Sequence, residues 1–370
     1  MNIAFIGNFR EESVNGVINS ANNLAKGLKS FGVNVFFYGI GEKEETKISN
    51  GYTYRKFAKS KLPIMTPKNL NNFLKTNLDN IDIFHFHSVF IPYFIPFKNC
   101  IISLGYPYVH TPHGGYDSNL IQKNKTLKSL YIALFEQNLV KNASKVICVH
   151  EKEIPQVLNI SANANTAVIY NSVEINTETN NIANIETSSK ELVYLGRFDI
   201  LHKGLDKLIL LAKKLEELDN QITIKIYGSG NGKNQLENLI SKSSVNNIKI
   251  ESPVFGIEKA KVLAKATAYI QLSKWEIFGM SIVEAMLKGK TLILSSGCAL
   301  SDLLTASNTG LVINTDNIET SAHQVIEYLN NIDKIKNDGI KLKSIAESKF
   351  SIDTISKQTF ELYQEVLTSN

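Results

Sequence analysis

Short apolar segments alternate with amphipathic segments along this sequence, and the alternation constrains the fold more than any other feature. An apolar run at 2–7 is followed by apolar residues at helical spacing over 17–28 and by a second apolar run at 33–38. Apolar runs of strand length separated by single helices predict parallel strands joined by crossover helices. Residues 2–38 therefore predict the opening of a doubly wound α/β sheet.

The alternation occurs in two series, which a polar stretch separates. After 38 the first series predicts strands at 52–57, 81–87, 108–111, 145–149 and 167–170, with helices near 68–78, 119–142 and 151–159. Residues 171–189 are rich in Asn, Thr, Glu and Ser, which is typical of a linker. The second series predicts strands at 191–195, 222–227, 248–251, 268–272, 292–295 and 310–313, with helices near 203–218, 232–242, 258–266, 281–288 and 317–330.

The length of 370 residues also favours two hydrophobic cores over one. We therefore predict a Rossmann-like domain at 1–170, a linker at 171–189, a second Rossmann-like domain at 190–350 and a cleft between the two domains. The apolar spacing after Ser351 predicts a closing helix at 351–370 that returns to the first domain.

Charge and cysteine content indicate the setting of the protein. Residues 1–170 contain 18 Lys/Arg and 11 Asp/Glu, net +7, whereas 171–370 contain 22 and 24, net −2, which indicates an anionic partner for the first half. The three cysteines lie far apart in apolar runs, which favours buried thiols in a reducing compartment. The sequence shows neither a signal-peptide pattern nor 18 consecutive apolar residues, so we expect a cytoplasmic protein.

Two carboxylates surround a predicted helix start in the segment K-W-E-I-F-G-M-S-I-V-E-A-M-L-K-G-K, residues 274–290. Glu276 lies in a glycine-containing loop, and Glu284 lies one turn into the helix. The pattern S-I-V-E predicts a capping box with Ser281 as the N-cap, and Gly289 ends the helix. Glu284 could serve only this capping box, and Glu276 could be a solvated loop residue.

The helix start also provides donors for an anion. Backbone N–H groups at Gly279, Met280 and Ser281 lack helical acceptors and carry the positive end of the helix dipole. Carboxylates bind hydroxyl groups, whereas helix N-termini bind phosphates. The combination therefore suits a ligand with both kinds of group, such as a nucleotide sugar.

Cations follow the first strand of the second series, in the segment L-V-Y-L-G-R-F-D-I-L-H-K-G at 192–204. Gly196 allows a turn after the strand, and Arg197 and Lys203 flank the start of the next helix. Ligands bind at this carboxyl edge in open α/β sheets. Cations are disfavoured at a helix start, so a phosphate-binding role explains Arg197 and Lys203 better than a solvated surface does.

The spacing of these motifs resembles a known family. G-R-F-D-x-x-x-K-G, followed some 70 residues later by E-x-F-G-x-x-x-x-E, resembles the retaining glycosyltransferases of family 4, which have the GT-B fold. The similarity covers essentially the whole chain. First-domain motifs also match: the glycine loop at Asn15-Gly16-Val17, I-D-I-F-H-F-H ending at His87, and T-P-H-G-G containing His113. Y-N-S-V-E at 170–174 resembles the junction between domains.

The resemblance implies roles for individual residues. Arg197 and Lys203 would neutralise the leaving diphosphate, Glu276 would contact hydroxyls of the transferred sugar, and Glu284 would hold the ribose diol. His113 would lie near the anomeric centre, with His87 also on the acceptor side. The remaining donor-binding positions implied by the resemblance are Gly16, Val17, Gly196, Val254, Phe278, Gly279, Met280 and Ser281, of which Val254 lies in the segment that holds the base.

Departures from the family pattern leave the identity of the donor open. Ile277 replaces the usual glycine after the first glutamate, and G-C-A-L-S-D around Asp302 replaces G-G-x-P-E. No Asp stands two positions from another Asp, so the D-x-D pair that holds a divalent ion in the other major glycosyltransferase fold is missing. His85, His87 and His113 superficially suggest a metal site, but hydrogen-bonded strand histidines are the commoner explanation. We therefore expect no metal and no cofactor.

One basic segment concerns the acceptor. Residues 123–145 predict a helix with lysines at its ends and Leu, Tyr, Ile and Phe between them. A core helix with a solvated basic rim is one explanation. Interfacial contact with anionic lipid, which would bring the enzyme to a lipid-linked acceptor, is the other.

The sequence thus predicts a metal-independent, retaining glycosyltransferase that uses a UDP- or GDP-sugar, with UDP preferred, in bacterial surface polysaccharide synthesis such as that of lipopolysaccharide O-antigen. The acceptor would be a glycan or a lipid-linked glycan. A GT-B-fold sugar-nucleotide epimerase and a non-catalytic partner subunit are the alternatives. An NAD-dependent oxidoreductase is disfavoured because no G-x-G-x-x-G follows the first strand.

Overall fold

Two compact units make up the chain. The computed structural model describes residues 1–9, 16–174 and 190–369. The first unit comprises Met1–Glu174 with Ile352–Asn370, and the second comprises Ile175–Ser351. Most of the predicted linker lies outside the described residues. The C-terminal helix belongs to the first unit, although 177 residues separate it in sequence from the rest of that unit.

The first unit contains an eight-stranded sheet in the order β3-β4-β2-β1-β5-β6-β7-β8. All neighbouring strands are parallel except β3, which runs antiparallel to β4 at one edge of the sheet. The strands are β1 (Asn2–Ile6), β2 (Asn34–Gly41), β3 (Glu45–Ser49), β4 (Tyr52–Ala58), β5 (Ile83–His87), β6 (Tyr108–Thr111), β7 (Lys145–Cys148) and β8 (Thr166–Val168).

Helices cover this sheet and bury its apolar side chains. They are α1 (Gly16–Leu28), α2 (Leu70–Thr76), α3 (Phe94–Ser103), α4 (Ser118–Gln122), α5 (Lys125–Tyr131), α6 (Gln137–Lys141), α7 (Ile154–Ile160) and, from the end of the chain, α15 (Ile352–Thr368). α15 packs directly on α1 at a glycine, because a Cβ at Gly27 would lie 2.0 Å from Ser356 Oγ. Phe31 and Phe360 stack beside this contact with ring centroids 5.2 Å apart.

The second unit contains a six-stranded parallel sheet in the order β11-β10-β9-β12-β13-β14, which is the 3-2-1-4-5-6 order of a Rossmann fold. Its strands are β9 (Lys190–Leu195), β10 (Ile222–Tyr227), β11 (Ile248–Glu251), β12 (Ala268–Gln271), β13 (Thr291–Ser295) and β14 (Leu311–Ile313). Its helices are α8 (Leu205–Leu218), α9 (Lys233–Ser243), α10 (Gly256–Lys265), α11 (Met280–Leu287), α12 (Ser301–Ser307), α13 (Ile318–Asn330) and α14 (Ile332–Phe350).

The apolar periodicity predicted most of these elements within about two residues, and four others were missed. The missed elements are β3, whose side chains are mostly exposed, and α3, α12 and α14. α3 contains Pro96 within F-I-P-F-K-N-C, which disfavours a helical prediction, yet the helix forms because its apolar residues bury against the sheet.

The basic segment at 123–145 does not form one regular α-helix. α5 passes into a π-helical turn at Ile132–Glu136 before α6, and a π turn shifts the buried face by about one residue. A core helix would bury its apolar residues, so the interpretation as a core helix was wrong for the part of the segment that contains the following leucines. Leu127, Leu130 and Leu134 are 69%, 58% and 58% exposed.

Other sequence predictions concern burial and hydrophobicity. Cys100, Cys148 and Cys298 are all buried and unpaired, as expected. Burial raises the pKa of the Cys148 and Cys298 thiols to about 12. In the described ranges, no helix is both long and apolar enough to cross a membrane.

Candidate active site

An ion pair marks the carboxyl edge of the second sheet. Lys203 lies in the loop between β9 and α8, Glu276 lies in the loop after β12, and the Lys203 ammonium contacts Oε2 of Glu276. Their side chains are 12% and 15% exposed. The pair joins residues 73 positions apart, and the structure therefore brings together two residues that the sequence predicted separately.

Hydrogen bonds from β12 fix the position of the Glu276 carboxylate. Gln271 Nε2 donates to Oε2 of Glu276 at 2.9 Å and to Ser273 Oγ at 3.0 Å. Tyr269 Oη donates to Gln271 Oε1 at 2.6 Å and contacts Ser281 Oγ at 2.8 Å. A chain of buried polar groups thus runs from the start of α11 to Glu276.

The predicted capping box at Ser281 was wrong. Gly279 is the N-cap of α11, no side chain caps the helix, and Ser281 lies inside the first turn with its hydroxyl directed to Tyr269. Gly289, at φ +67°, ends the helix as predicted. The Glu284 carboxylate instead bonds Lys259 Nζ of α10 at 2.5 Å.

The backbone of Glu276 is also held in place. Glu276 N–H donates to Gly297 O at 2.9 Å, and Glu276 O accepts from Ala299 N–H at 2.8 Å. Gly297 is required here because a Cβ would lie 2.4 Å from the carbonyl oxygens of Ser273 and Lys274. The G-C-A segment, in which the sequence departs from the family pattern, therefore supports the Glu276 loop through backbone contacts.

The charge of Lys203 favours the ionised form of the Glu276 carboxylate. Burial alone would raise the pKa of Glu276, but the charge and hydrogen bond of Lys203, with smaller contributions from His202 and Gln271, hold this pKa below its usual value. Among the described residues, both donors reach Oε2 and none reaches Oε1, which remains an acceptor for a ligand. An ammonium has three donors, so Lys203 can bond an anion as well as Glu276.

A stacked pair of rings joins the two loops. His202 and Trp275 stack at 4.6 Å with an interplanar angle of 11°, and they immediately precede Lys203 and Glu276 in sequence. Lys274 N–H donates to His202 O at 2.9 Å. Gly204, at φ +63°, turns the first loop against β12, because a Cβ there would lie 1.9 Å from Leu272 O.

Arg197 lies at the same edge with an exposed side chain. The loop before it packs closely on the neighbouring glycine segment: Gly196 N–H donates to Tyr227 O at 3.0 Å, and Phe198 N–H donates to Ser229 O at 2.9 Å. Residues 228–232 thus support the Arg197 loop.

The start of α11 supplies further donors to this edge. N–H groups of Met280 and Ser281 have no acceptor within the described part of the chain. Phe278 and Gly279 are buried beside them, and a Cβ at Gly279 would lie 3.5 Å from Glu276 Cγ. Val254 is half-buried in the loop between β11 and α10.

The carboxyl edge of the first sheet carries neutral histidines. His87 Nδ1 and His113 Nε2 are 3.1 Å apart, and their rings stack at 5.4 Å. His85 contacts Tyr363 Oη through Nδ1 and Thr111 Oγ1 through Nε2, both at 2.7 Å. Burial lowers the pKa of all three, that of His113 to about 4, so they are neutral at pH 7.

These contacts use both ring nitrogens of His85 but only Nδ1 of His87 and Nε2 of His113; within the described residues, His87 Nε2 and His113 Nδ1 are buried without a hydrogen-bond partner. In the ranges that the structure describes, no group of three His, Cys, Asp or Glu side chains is arranged to hold a metal ion. Gly16 and Val17 begin α1, whereas Asn15 of the predicted glycine loop lies outside the described residues.

Left-handed backbone conformations are concentrated at this edge. Ser88 (φ 89°) and Phe90 (φ 57°) follow β5, and His113 (φ 54°) and Gly114 (φ 75°) follow β6. Such conformations are unfavourable for residues other than glycine and persist where surrounding contacts hold them, often at functional sites.

The residues that hold the site in place were not predicted from the sequence. Tyr269, Gln271, Lys259 and Gly297 support the second edge, and Glu153 supports the first. Q-L-S at the end of β12 and the two histidines of β5 share one signal, which is polar residues at the end of an apolar strand. That signal could have identified Gln271.

Two doubly wound sheets in one chain, with an acid and two cations at the carboxyl edge of the second sheet, form the architecture expected of the GT-B fold. Two family models agree. The model for glycosyltransferase family 4 matches residues 14–177, and the model for glycosyl transferases group 1 matches residues 176–341. The chain belongs to the family 4 glycosyltransferases with the GT-B fold.

Individual relatives are distant in sequence. An uncharacterized glycosyltransferase of Methanocaldococcus jannaschii is 26% identical over 361 residues, which is 95% of each chain. The GDP-mannose:cellobiosyl-diphosphopolyprenol alpha-mannosyltransferase of Xanthomonas oryzae is 25% identical over 248 residues, which cover 66% of this chain and 63% of that protein.

Solved structures share the fold over the full length. Sucrose-phosphate synthase from Thermosynechococcus elongatus has a TM-score of 0.79 at 16% identity and covers 100% of both chains. HepE from Anabaena, solved with UDP and glucose, has a TM-score of 0.74 at 15% identity and covers 98% of this chain and 99% of that one.

Proposed function

We propose that this glycosyltransferase transfers a sugar from a nucleotide diphosphate to a glycan or lipid-linked acceptor with retention of configuration and without a divalent metal. The Lys203–Glu276 ion pair is the observation that carries the proposal. One oxygen of the acid and two donors of the ammonium remain for a ligand, which suits a sugar hydroxyl beside a diphosphate.

The roles follow from charge. Arg197 and Lys203 would bind the diphosphate together with the N–H groups at the start of α11, and Glu276 Oε1 would accept from a hydroxyl of the sugar. Glu284 would hold the ribose diol, next to Lys259 of α10. Val254 would lie near the base. On the first unit, Gly16 and Val17 would approach the diphosphate.

In the proposed reaction the bond between the anomeric carbon and the diphosphate oxygen breaks, and a bond from the acceptor oxygen forms on the same face. The acceptor proton passes to the leaving phosphate oxygen. Negative charge develops on the diphosphate, where preorganised cations and N–H groups contribute roughly 10² to 10³ in rate each. Fixed protein charge would do the work that a metal ion does elsewhere.

The neutral histidines of the first unit suit a different task. A neutral imidazole can form a hydrogen bond with a hydroxyl group, and it carries no positive charge that would attract the diphosphate. His113 would lie near the anomeric centre, and His87 would hold its ring through the 3.1 Å contact.

A UDP-sugar is the preferred donor, because the HepE structure of the same fold contains UDP and glucose. The Xanthomonas relative, whose name specifies GDP-mannose, makes GDP the alternative. The decisive experiment measures nucleotide diphosphate release from UDP- and GDP-sugars in EDTA, with and without glycan and polyprenol-linked acceptors. Acceptor-dependent release in EDTA is expected. A requirement for a divalent ion, or donor epimerisation without acceptor, would contradict the proposal.

Contact with an anionic membrane surface is a second part of the proposal. Leu127, Leu130 and Leu134 form an exposed apolar stripe at helical spacing, with Lys123 and Lys125 in the same segment. Exposed leucines beside lysines are complementary to anionic lipid. The surface would bring the enzyme to the inner face of the cell membrane, where lipid-linked acceptors are found.

Vesicle co-sedimentation tests the surface. We expect binding to phosphatidylglycerol vesicles at low salt, weak binding to phosphatidylcholine, and a loss of more than about tenfold in the triple variant Leu127→Gln/Leu130→Gln/Leu134→Gln. Leu210→Gln, at a 48% exposed leucine of the second unit, is the control and should bind as the wild type does. Absence of wild-type binding would remove this part of the proposal.

A further inference from the structure

A buried carboxylate in the first unit lies outside the residues assigned above. Glu153 follows β7 and is 0% exposed. It accepts from Val149 N–H at 2.7 Å and from Gly114 N–H. Within the described ranges no cation pairs with it. One carboxylate thus joins the ends of the neighbouring strands β6 and β7.

Burial of this acid is unfavourable by itself. An ionised carboxylate loses its hydration in the protein interior, and a buried charge is stable only with strong hydrogen bonds. Burial raises the pKa of Glu153 to about 7, although the N–H groups of Val149 and Gly114 act in the opposite direction. A glutamate at this position therefore needs an explanation other than stability.

The backbone that Glu153 holds provides one. His113 and Gly114 adopt φ 54° and φ 75° in succession. A left-handed conformation costs roughly 1 to 2 kcal/mol for a residue with a Cβ, so His113 keeps it only where other contacts fix the backbone. The bond to Gly114 N–H acts on the peptide group that directly follows His113.

The direction of the His113 ring depends on that backbone. Its ring stacks on His87, and its Nε2 lies 3.1 Å from His87 Nδ1. A rotation of the 113–114 peptide would break this contact and displace the imidazole. An error of about 1 Å in the position of a reacting group costs about a hundredfold in rate.

We propose that Glu153 is a positioning residue that fixes the His113 imidazole by binding the N–H of Gly114. This inference rests on the role proposed above for His113. It assigns Glu153 no contact with either substrate.

The direct test observes His113 without turnover. Protein labelled with ¹⁵N in its seven histidines gives ring-nitrogen signals, and those of His113 are identified by their loss in His113→Gln. In Glu153→Gln, an NH2 group replaces one of the two carboxylate oxygens. This group cannot accept a hydrogen bond, so the bond from Gly114 N–H or from Val149 N–H is lost. We expect the His113 and His87 signals to move or broaden, whereas the His323 signals stay in place.

Kinetic measurements supply the second readout. Glu153→Gln should lower kcat about tenfold to a hundredfold and leave the KM for the nucleotide sugar within about twofold, because the donor-binding residues of the second unit are unaffected. Glu153→Asp, whose side chain is one methylene shorter, should likewise lower kcat and leave the KM for the nucleotide sugar almost unchanged.

Asp338→Asn is the matched control. Asp338 is a buried carboxylate that accepts from the N–H of a left-handed glycine, Gly310, at 2.9 Å. Gly310 precedes β14 and therefore lies at the opposite edge of its sheet from Lys203. This variant should be less stable but should keep its kcat at temperatures where it is folded.

Two results would overturn the inference: unchanged His113 signals in Glu153→Gln, or a wild-type kcat in that variant. If the wild type transfers no sugar at all, the proposed function fails, and the His113 signals still decide whether Glu153 positions the ring.

Discussion

The carboxyl edges of the two sheets have the same parallel topology but opposite electrostatics. In the second unit the acid and the lysine are both partly exposed, and the charge of Lys203 holds the pKa of Glu276 below its usual value against the effect of burial. In the first unit burial keeps His87 and His113 neutral and raises the pKa of Glu136 and Glu153.

This difference shows how one fold can provide two kinds of site. Fixed cations stabilise the negative charge of a diphosphate, which is the chemistry proposed for the second unit. Neutral imidazoles bond hydroxyl groups without attracting the diphosphate, which suits the acceptor side proposed for the first unit. The buried carboxylates of the first unit bond backbone N–H groups and so act on loop conformation.

The largest effect is expected at the ion pair of the second unit. Lys203→Ala and Glu276→Ala should each lower kcat about 10³-fold, because diphosphate charge and sugar hydroxyl lose their partners. The double variant should lose little more than either single variant, since the two groups act together. Steady-state rates of nucleotide release measure this, with circular dichroism to verify folding.

Lys190→Ala is the matched control for the ion pair. Lys190 pairs with Asp219 at 2.6 Å, both about as exposed as Lys203 and Glu276, but at the start of β9. Loss of this pair should lower the melting temperature and leave kcat within about twofold. An equal loss of activity in Lys190→Ala and Lys203→Ala would mean that the ion pair acts only through stability.

Removal of a single hydrogen bond should have an intermediate effect on kcat/KM, and this effect should differ between the two sheet edges. Gln271→Met removes the bond to a charged carboxylate and should lower kcat/KM about tenfold, since hydrogen bonds to charged groups contribute about 1.5 to 3 kcal/mol. Thr111→Val removes a bond to neutral His85 and should change kcat/KM less than about threefold. Equal losses would contradict the electrostatic contrast.

The last prediction concerns the free energy of unfolding, which should depend on pH through Glu153 of the first unit, with no change in rate required. Between the ordinary pKa of 4.5 and about 7, the unfolded chain has released the Glu153 proton while the folded chain retains it. The unfolded state then binds fewer protons, so the contribution of Glu153 to stability falls as the pH rises through this range. The free energy of unfolding of the wild type, minus that of Glu153→Gln, should therefore decrease by about 3 kcal/mol as the pH rises through this range.

Thermal unfolding of both proteins from pH 5 to pH 8.5 measures this trend. The groups around Glu153 include Cys148 and Tyr116, whose pKa values burial raises, and His113, whose pKa burial lowers to about 4. His150, which caps the same segment through Nδ1, is tested by His150→Asn. If the free energy of unfolding of Glu153→Gln fell with rising pH as that of the wild type does, a group other than Glu153 would be responsible.

Much of the architecture was predictable because its signals are local. Apolar runs of strand length and helical spacing gave nearly every strand of both sheets, since burial of a strand or helix face leaves a periodic record in the sequence. The elements that were missed lack this record: β3 is an exposed edge strand, and α3 contains Pro96. The wrong N-cap at Ser281 arose because its hydroxyl bonds Tyr269 of a neighbouring strand.

The sequence alone determined which residues stand at the ends of the strands: Arg197, Lys203, Glu276, His87 and His113. A strand end is a local property, and in a parallel sheet all such ends meet at one edge. Only the tertiary structure decided which distant groups hold them, such as Gly297 for the Glu276 loop and Glu153 for the His113 loop. These contacts depend on burial and on chain segments distant in sequence, neither of which leaves a periodic signal.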